Sequence, residues 1–154
     1  MADTREHVFT ANFATGVMTV DGETVLDWAV PATRNDARAN FYLFARINSD
    51  GIKCHCRFRL RACRLLQGGV LVRDFVPAKR LSDGKVGLYD LVEGRFKEPN
   101  GTLTGHAYVP QLRLNYITSD RTQYINTGYK PLASTAFSIS FTSLSTCSAS
   151  ALSP

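Results

Sequence analysis

No apolar run in this sequence approaches the roughly 18 residues that a membrane-crossing helix needs. The opening MADTREH is polar where a secretory signal carries an apolar core. A chain without membrane insertion and without an export address is therefore expected. Histidine is scarce, standing alone at positions 7, 55 and 106, so no H-E-x-x-H metal motif exists, and there is no G-x-S-x-G elbow and no Walker loop either. Acidic residues number 13 against 18 basic ones and fall mostly in turns, as Asp21, Asp50, Asp83 and Asp120 do. A glycosidase needs two carboxyl groups about 5 to 9 Å apart, and no E-x-D-x-x-E array supplies them. Catalysis is not expected.

Helical periodicity is nearly absent as well. Only Ala32 to Ala39 could form a short helix or a loop. What replaces it is a series of short strand-like runs between turn signals. Asp21-Gly22, Asp50-Gly51, Asp83-Gly84, Asn100-Gly101 and Gly68-Gly69 separate segments such as HVFTANF, VMTV, NFYLFARI, VLVRDFV, KVGLYDL and TAFSISF. About ten strands with tight connections predict an all-β fold, an antiparallel β-sandwich or barrel. With 154 residues, 44% of them hydrophobic, the chain suffices for one well-filled core and is too short for two full domains. The Ser-rich end, SLSTCSASALSP, is poor in packing residues and is expected to fray.

Four cysteines are too few and too crowded for a disulfide framework, since Cys54, Cys56 and Cys63 share one segment and Cys147 lies in the Ser-rich end. Reduced thiols are expected. The crowded segment is KCHCRFRLRAC, residues 53 to 63. Read as a strand, it places Cys54, Cys56, Phe58, Leu60 and Ala62 on one side and Lys53, His55, Arg57, Arg59 and Arg61 on the other. The Cys-His-Cys trio then cannot converge on one ion. A zinc site would also need a second ligand pair that the sequence does not offer, and Cys63 has the wrong parity unless a bulge intervenes. Buried thiols acting as small apolar residues explain the cysteines better, and no metal is expected.

The outward row is a candidate binding feature. Arg57, Arg59 and Arg61, flanked by Lys53 and His55, stand roughly 7 Å from one to the next along one strand face, a spacing that suits charges on a sulfated or phosphorylated polymer. The plainer alternative is that they solvate an open strand face and discourage aggregation. No aromatic residue interleaves with them to stack bases, so nucleic acid is disfavoured as a partner. The formal charge of +5 leans toward acidic partners without requiring one.

The run VLVRDFVPAKRLSDGKVGLYDLVEGRF, residues 70 to 96, resembles the closing strands of concanavalin A-like lectin/glucanase domains of the laminin-G-like type, as found in gut bacterial and phage proteins. NFYLFARI (40 to 47) and GVMTVDGETV (16 to 25) resemble that family's preceding strands, so the likeness covers most of residues 8 to 105. LNYITSDRTQYINTGYKPLASTAFSISF, residues 114 to 141, resembles the segment that opens such domains, except that Arg121 replaces the usual glycine and the order is inverted. The resemblance implies one jelly-roll sandwich over residues 6–141, with a closing portion at 6–109, an opening-strand segment at 112–141 and a flexible tail at 142–154. A fragment spanning two tandem domains, a circular permutation and strand donation to a neighbouring chain are all compatible with the inversion. A fragment as origin, with the C-terminal segment packed as in a permutation, is the preferred expectation, and unpaired edges would then promote self-association.

For function, the resemblance implies binding without chemistry. A glycan or cell-surface ligand is the expected partner, and the parent protein belongs at a bacterial surface or on a virion. Trp28 and Tyr42 are candidates to stack on a sugar, although a core role is the plainer reading of a lone tryptophan. Some members of the family hold calcium, but its positions do not map onto this sequence. Alternatives are a structural module for chain-to-chain assembly, and polyanion binding through the arginine row.

Overall fold

The computed structural model of the chain describes residues 5–28, 39–48, 51–53, 56–106 and 113–144. These are all-β, and every strand pair is antiparallel. In chain order the first strands are β1 (Glu6–Asn12), β2 (Val17–Val20), β3 (Glu23–Asp27), β4 (Tyr42–Leu43), β5 (Arg46–Asn48) and β6 (Gly51–Lys53). The long β7 (Phe58–Gln67) and β8 (Val70–Lys79) precede β9 (Val86–Asp90), β10 (Arg95–Lys97), β11 (Pro99–Asn100) and β12 (Thr104–His106). Last come β13 (Tyr116–Thr118), β14 (Tyr124–Asn126) and β15 (Thr135–Ser143).

The large sheet runs β10-β9-β8-β7-β15-β1-β2-β3, with β13 joining β7 beside β8 and β12 pairing β13. Facing it is a small sheet, β11-β14-β4, and β5 and β6 form a separate ribbon. Alternation along TAFSISF explains why β15 takes a central place: Phe137, Ile139 and Phe141 point inward while Ser138 and Ser140 lie on the other face. Phe137 gathers the rings of Phe9, Phe13 and Phe41 at 5.7, 5.8 and 5.1 Å. Leu43 and Ile125 of the small sheet join Leu60, Leu65, Phe75 and Leu88 of the large one in a single buried cluster, which makes the two layers a sandwich. Of the segment resembling a domain opening, β15 lies between β1 and β7, β13 pairs β7 and β12, and β14 belongs to the small sheet.

The strongest turn signals act as hairpins. Val20 faces Glu23 across Asp21-Gly22, and Gln67 faces Val70 across Gly68-Gly69, each with positive φ at both central residues. That geometry matches the right-handed twist of the flanking strands. Asp21 adds its carboxylate, which accepts from the Val8 backbone N–H at 2.7 Å and lies 2.7 Å from His7 Nδ1.

Two segments depart from the strand reading of the sequence. NFYLFARI is not one strand but two, in different sheets, broken at Phe44, whose φ is 68°. Leu43 and Phe44 are both buried, although alternation in a strand turns neighbours to opposite faces, and the left-handed turn at Phe44 accompanies this change of course. KCHCRFRLRAC is likewise not continuous: Lys53 ends β6, Cys56 and Arg57 precede the next strand, and β7 begins at Phe58 and runs on to Gln67. Within β7 the register slips, because Leu60 faces Phe141 while Ala62 faces Ser140, leaving Arg61 as the extra residue. This bulge reverses the parity, so Cys63, not Ala62, enters the core, fully buried as a free thiol. Cys54, His55 and most of Ala32 to Ala39 lie outside the described residues, as does the end of the chain from residue 145. β15 continues through Ser143, past the expected boundary at 141.

Candidate functional site

Period-two geometry builds a polar, aromatic face on the small sheet. Ile125 pairs with Leu43 and Pro99, and these point into the sandwich. The alternate positions must then point out: Tyr42 sits opposite Asn126, and Asn100 sits opposite Tyr124. The result is a checkerboard of two tyrosines and two asparagines on the outward surface. Asn126 Nδ2 donates to Tyr42 Oη at 3.3 Å, and Asn100 Nδ2 donates to Tyr124 Oη at 3.1 Å. Asn40 extends the row, donating from Nδ2 to Asn126 Oδ1 at 3.1 Å, and Asn126 Oδ1 also accepts from the Gly128 N–H at 2.9 Å. The two tyrosine rings stand 5.8 Å apart, tilted by 58°. Uncharged amides and phenols, fixed beside half-exposed ring faces, can stack on a sugar ring and hydrogen-bond its hydroxyls.

A second feature lies on the opposite surface, the outer face of the large sheet. Arg59 and Arg61 both rest on the ring of Tyr116 from β13, with guanidinium carbons 4.9 and 5.6 Å from its centroid. The aromatic partner comes from another strand, not from within the arginine run. Arg61 Nε lies 3.0 Å from Glu6 Oε2 in an ion pair that lacks hydrogen-bond alignment, and Glu6 Oε1 accepts from Ser140 Oγ at 2.5 Å. Arg57 is exposed just before the strand, while Lys53 belongs to the β5–β6 ribbon. The structure therefore brings Arg59 and Arg61 together, sets Arg57 beside them in sequence, and separates Lys53 onto another sheet.

Trp28 is half-buried after β3, with its backbone N–H bonded to Gly16 O at 3.1 Å. β3 is the edge strand at that end of the sheet, exposed at all five residues and four strand spacings, about 19 Å, from β7. Trp28 thus lies well away from Arg59 and Arg61 of β7. Tyr124, Asn100, Asn126 and Tyr116 escaped the sequence reading. The alternation in TQYINT was a usable signal for Tyr124 and Asn126, but which segments lie beside it was not.

Carboxylates that come together are bridged by cations. Arg80 holds Asp83 through Nε and Nη2, at 2.9 and 2.5 Å, and Glu98 through Nη1 at 2.6 Å, with Lys85 Nζ 2.8 Å from Glu98. Hydrogen bonding from Arg80 holds the Asp83 carboxyl below the usual range, and bonding from Lys85 and then Arg80 does the same for Glu98. On the inner side, Arg73 bridges Asp90 and Glu93, at 3.3 and 2.5 Å, and Lys97 Nζ lies 2.8 Å from Glu93. Among the described residues no three His, Cys, Asp or Glu side chains gather as a metal site. Nor is any helix among them long and apolar enough to cross a membrane. Comparison with known proteins finds no matching family model, no similar curated protein and no similar solved structure.

Proposed function

We propose that the protein is a noncatalytic carbohydrate-recognition module of the laminin-G-like lectin kind, presented at a bacterial surface or on a virion, with its ligand on the small sheet. The observation that carries this reading is the Tyr42, Asn126, Tyr124 and Asn100 checkerboard, because cross-strand register alternates ring and amide on one outward face. Ring faces supply apolar contact to the C–H surface of a pyranose, and the amides supply fixed donors and acceptors for its hydroxyls. No charged side chain belongs to the four, which favours a neutral sugar. A glycan array followed by affinity electrophoresis tests it. Tyr42→Ala and Tyr124→Ala should each weaken binding by about 1 kcal/mol, roughly fivefold. Absence of binding to every neutral and acidic glycan, by a folded protein, removes the proposal.

A second reading, polyanion binding, draws on the stacking of Arg59 and Arg61 over Tyr116 with Arg57 exposed nearby. It requires affinity for heparin or polyphosphate that falls steeply with salt and with the triple substitution of Arg57, Arg59 and Arg61 by serine. Salt-independent binding excludes it.

A further inference from the structure

The outer face of the large sheet carries another feature, unrelated to either reading. Over β8, β9 and β10 it opens into a groove of about 460 Å3, lined by Val76, Ala78, Tyr89, Leu91 and Phe96, with Leu81 in its wall. Small-molecule sites span roughly 300 to 1,000 Å3. Register explains the lining, since Tyr89 faces Val76 on one side and Phe96 on the other, while Ala78 faces Gly87. Gly87 is what lets the Phe96 ring lie across the strand: a Cβ there would stand 2.7 Å from Phe96 Cζ and 2.5 Å from the Lys97 carbonyl oxygen. Arg80 lies over the same ring, 5.1 Å from its centroid, and is itself clamped by Asp83 and Glu98. The aromatic wall is thus fixed before any ligand arrives.

Two properties identify the ligand class. Tyr89, Leu91 and Leu81 are 37%, 54% and 80% exposed, an apolar surface whose removal from water favours a bound apolar body. Charge supplies the other property. Arg80 is neutralised by two carboxylates, whereas Lys79 and Arg113, which also line the groove, meet no carboxylate among the described residues. Arg113 is placed there by its bridge to Ala78. An apolar trough with two uncompensated cations is complementary to a molecule with an apolar body and one anionic end.

We propose that this groove binds a small amphipathic organic anion, its alkyl or aromatic body against Tyr89, Leu91 and Phe96 and its carboxylate or sulfonate at Arg113 and Lys79. The probes are anilinonaphthalene sulfonate, followed by fluorescence, and decanoate, with decanol and decyltrimethylammonium as head-group controls, all added to the full chain. Decanoate should displace the dye and shift the amide resonances of Gly87, Tyr89 and Phe96, with decanol and the ammonium at least about fivefold weaker. Joint replacement Lys79→Ala and Arg113→Ala should cut decanoate affinity by a similar factor without changing the unfolding temperature, because both side chains lie at the surface. Leu91→Asp should abolish dye binding. Failure of dye and decanoate to bind, equal displacement by all three head groups, shifts outside these strands, or binding only to phosphatidylglycerol vesicles each overturns the assignment. None of these residues belongs to the tyrosine and asparagine face, so failure here leaves the carbohydrate reading standing.

Discussion

Arg121 occupies backbone with φ of 87°, a conformation that glycine adopts freely and a Cβ resists. The surrounding turn enforces it, with Gln123 Oε1 accepting from the Asp120 N–H at 2.9 Å and Ser119 Oγ accepting from the Arg121 N–H at 3.2 Å. The resemblance to laminin-G-like segments expects glycine at this position, and the strained φ is the physical counterpart of that departure. Arg121→Gly should raise stability by up to about 1 kcal/mol, the relief of strain being partly offset by a more flexible unfolded chain; the urea midpoint checks this, and a fall would contradict it. Cys63 gives a second residue-scale prediction. Burial, with a smaller contribution from Asp74, pushes its thiol up, so at pH 8 it should resist iodoacetamide in the native protein and react on unfolding. Peptide mapping by mass spectrometry reads the outcome. Its inward position was not legible from alternation, because the bulge at Arg61 depends on how β15 pairs with β7, not on β7 alone.

At the scale of elements, strands bounded by strong turns were legible, and so were short ones inside alternating runs such as TQYINT, but β10 and β11 were not. Asp21-Gly22 and Gly68-Gly69 mark hairpins because each needs two left-handed residues, a demand that few sequences meet. β10 and β11, of three and two residues, leave too little alternation to read, and β10 is held in part by Phe96 lying on Gly87. Gly87→Ala should therefore cost roughly 1 to 3 kcal/mol, since both the Lys97 carbonyl and the Phe96 ring block a methyl group. A variant as stable as the parent in urea would show that β10 gives way freely. The break between β4 and β5 was hidden for a different reason. Phe44 is of a type that favours strands, so nothing in its own identity marks the left-handed turn at which it is buried beside Leu43.

On the scale of the whole molecule, the tyrosine and asparagine face proposed to bind carbohydrate is assembled from distant parts. Tyr42 and Asn126 are 84 positions apart and meet because β14 pairs with β4 in the small sheet. Tyr42 could be singled out in the sequence as a candidate to stack on a sugar; its neighbours could not, because sequence alternation assigns faces but not adjacency. Charge acts globally too. Asp83, Glu98 and Glu93 all have carboxyls held below their ordinary values by basic partners. A depressed folded value adds stability above the unfolded value, about 4, and that stability is lost as pH falls through it. The unfolding midpoint should hence stay level between about pH 6 and 8 and decline below about pH 4.5, less steeply in Glu93→Gln. A midpoint unchanged down to about pH 3 would contradict this.

Carbohydrate recognition by the tyrosine and asparagine face is tested most directly by a residue-resolved NMR titration with a neutral oligosaccharide selected from the array. The account predicts saturable shifts confined to Tyr42, Asn100, Tyr124 and Asn126 and their immediate neighbours, lost in Tyr124→Ala. Saturable binding that leaves these four resonances in place, and moves others instead, would contradict it.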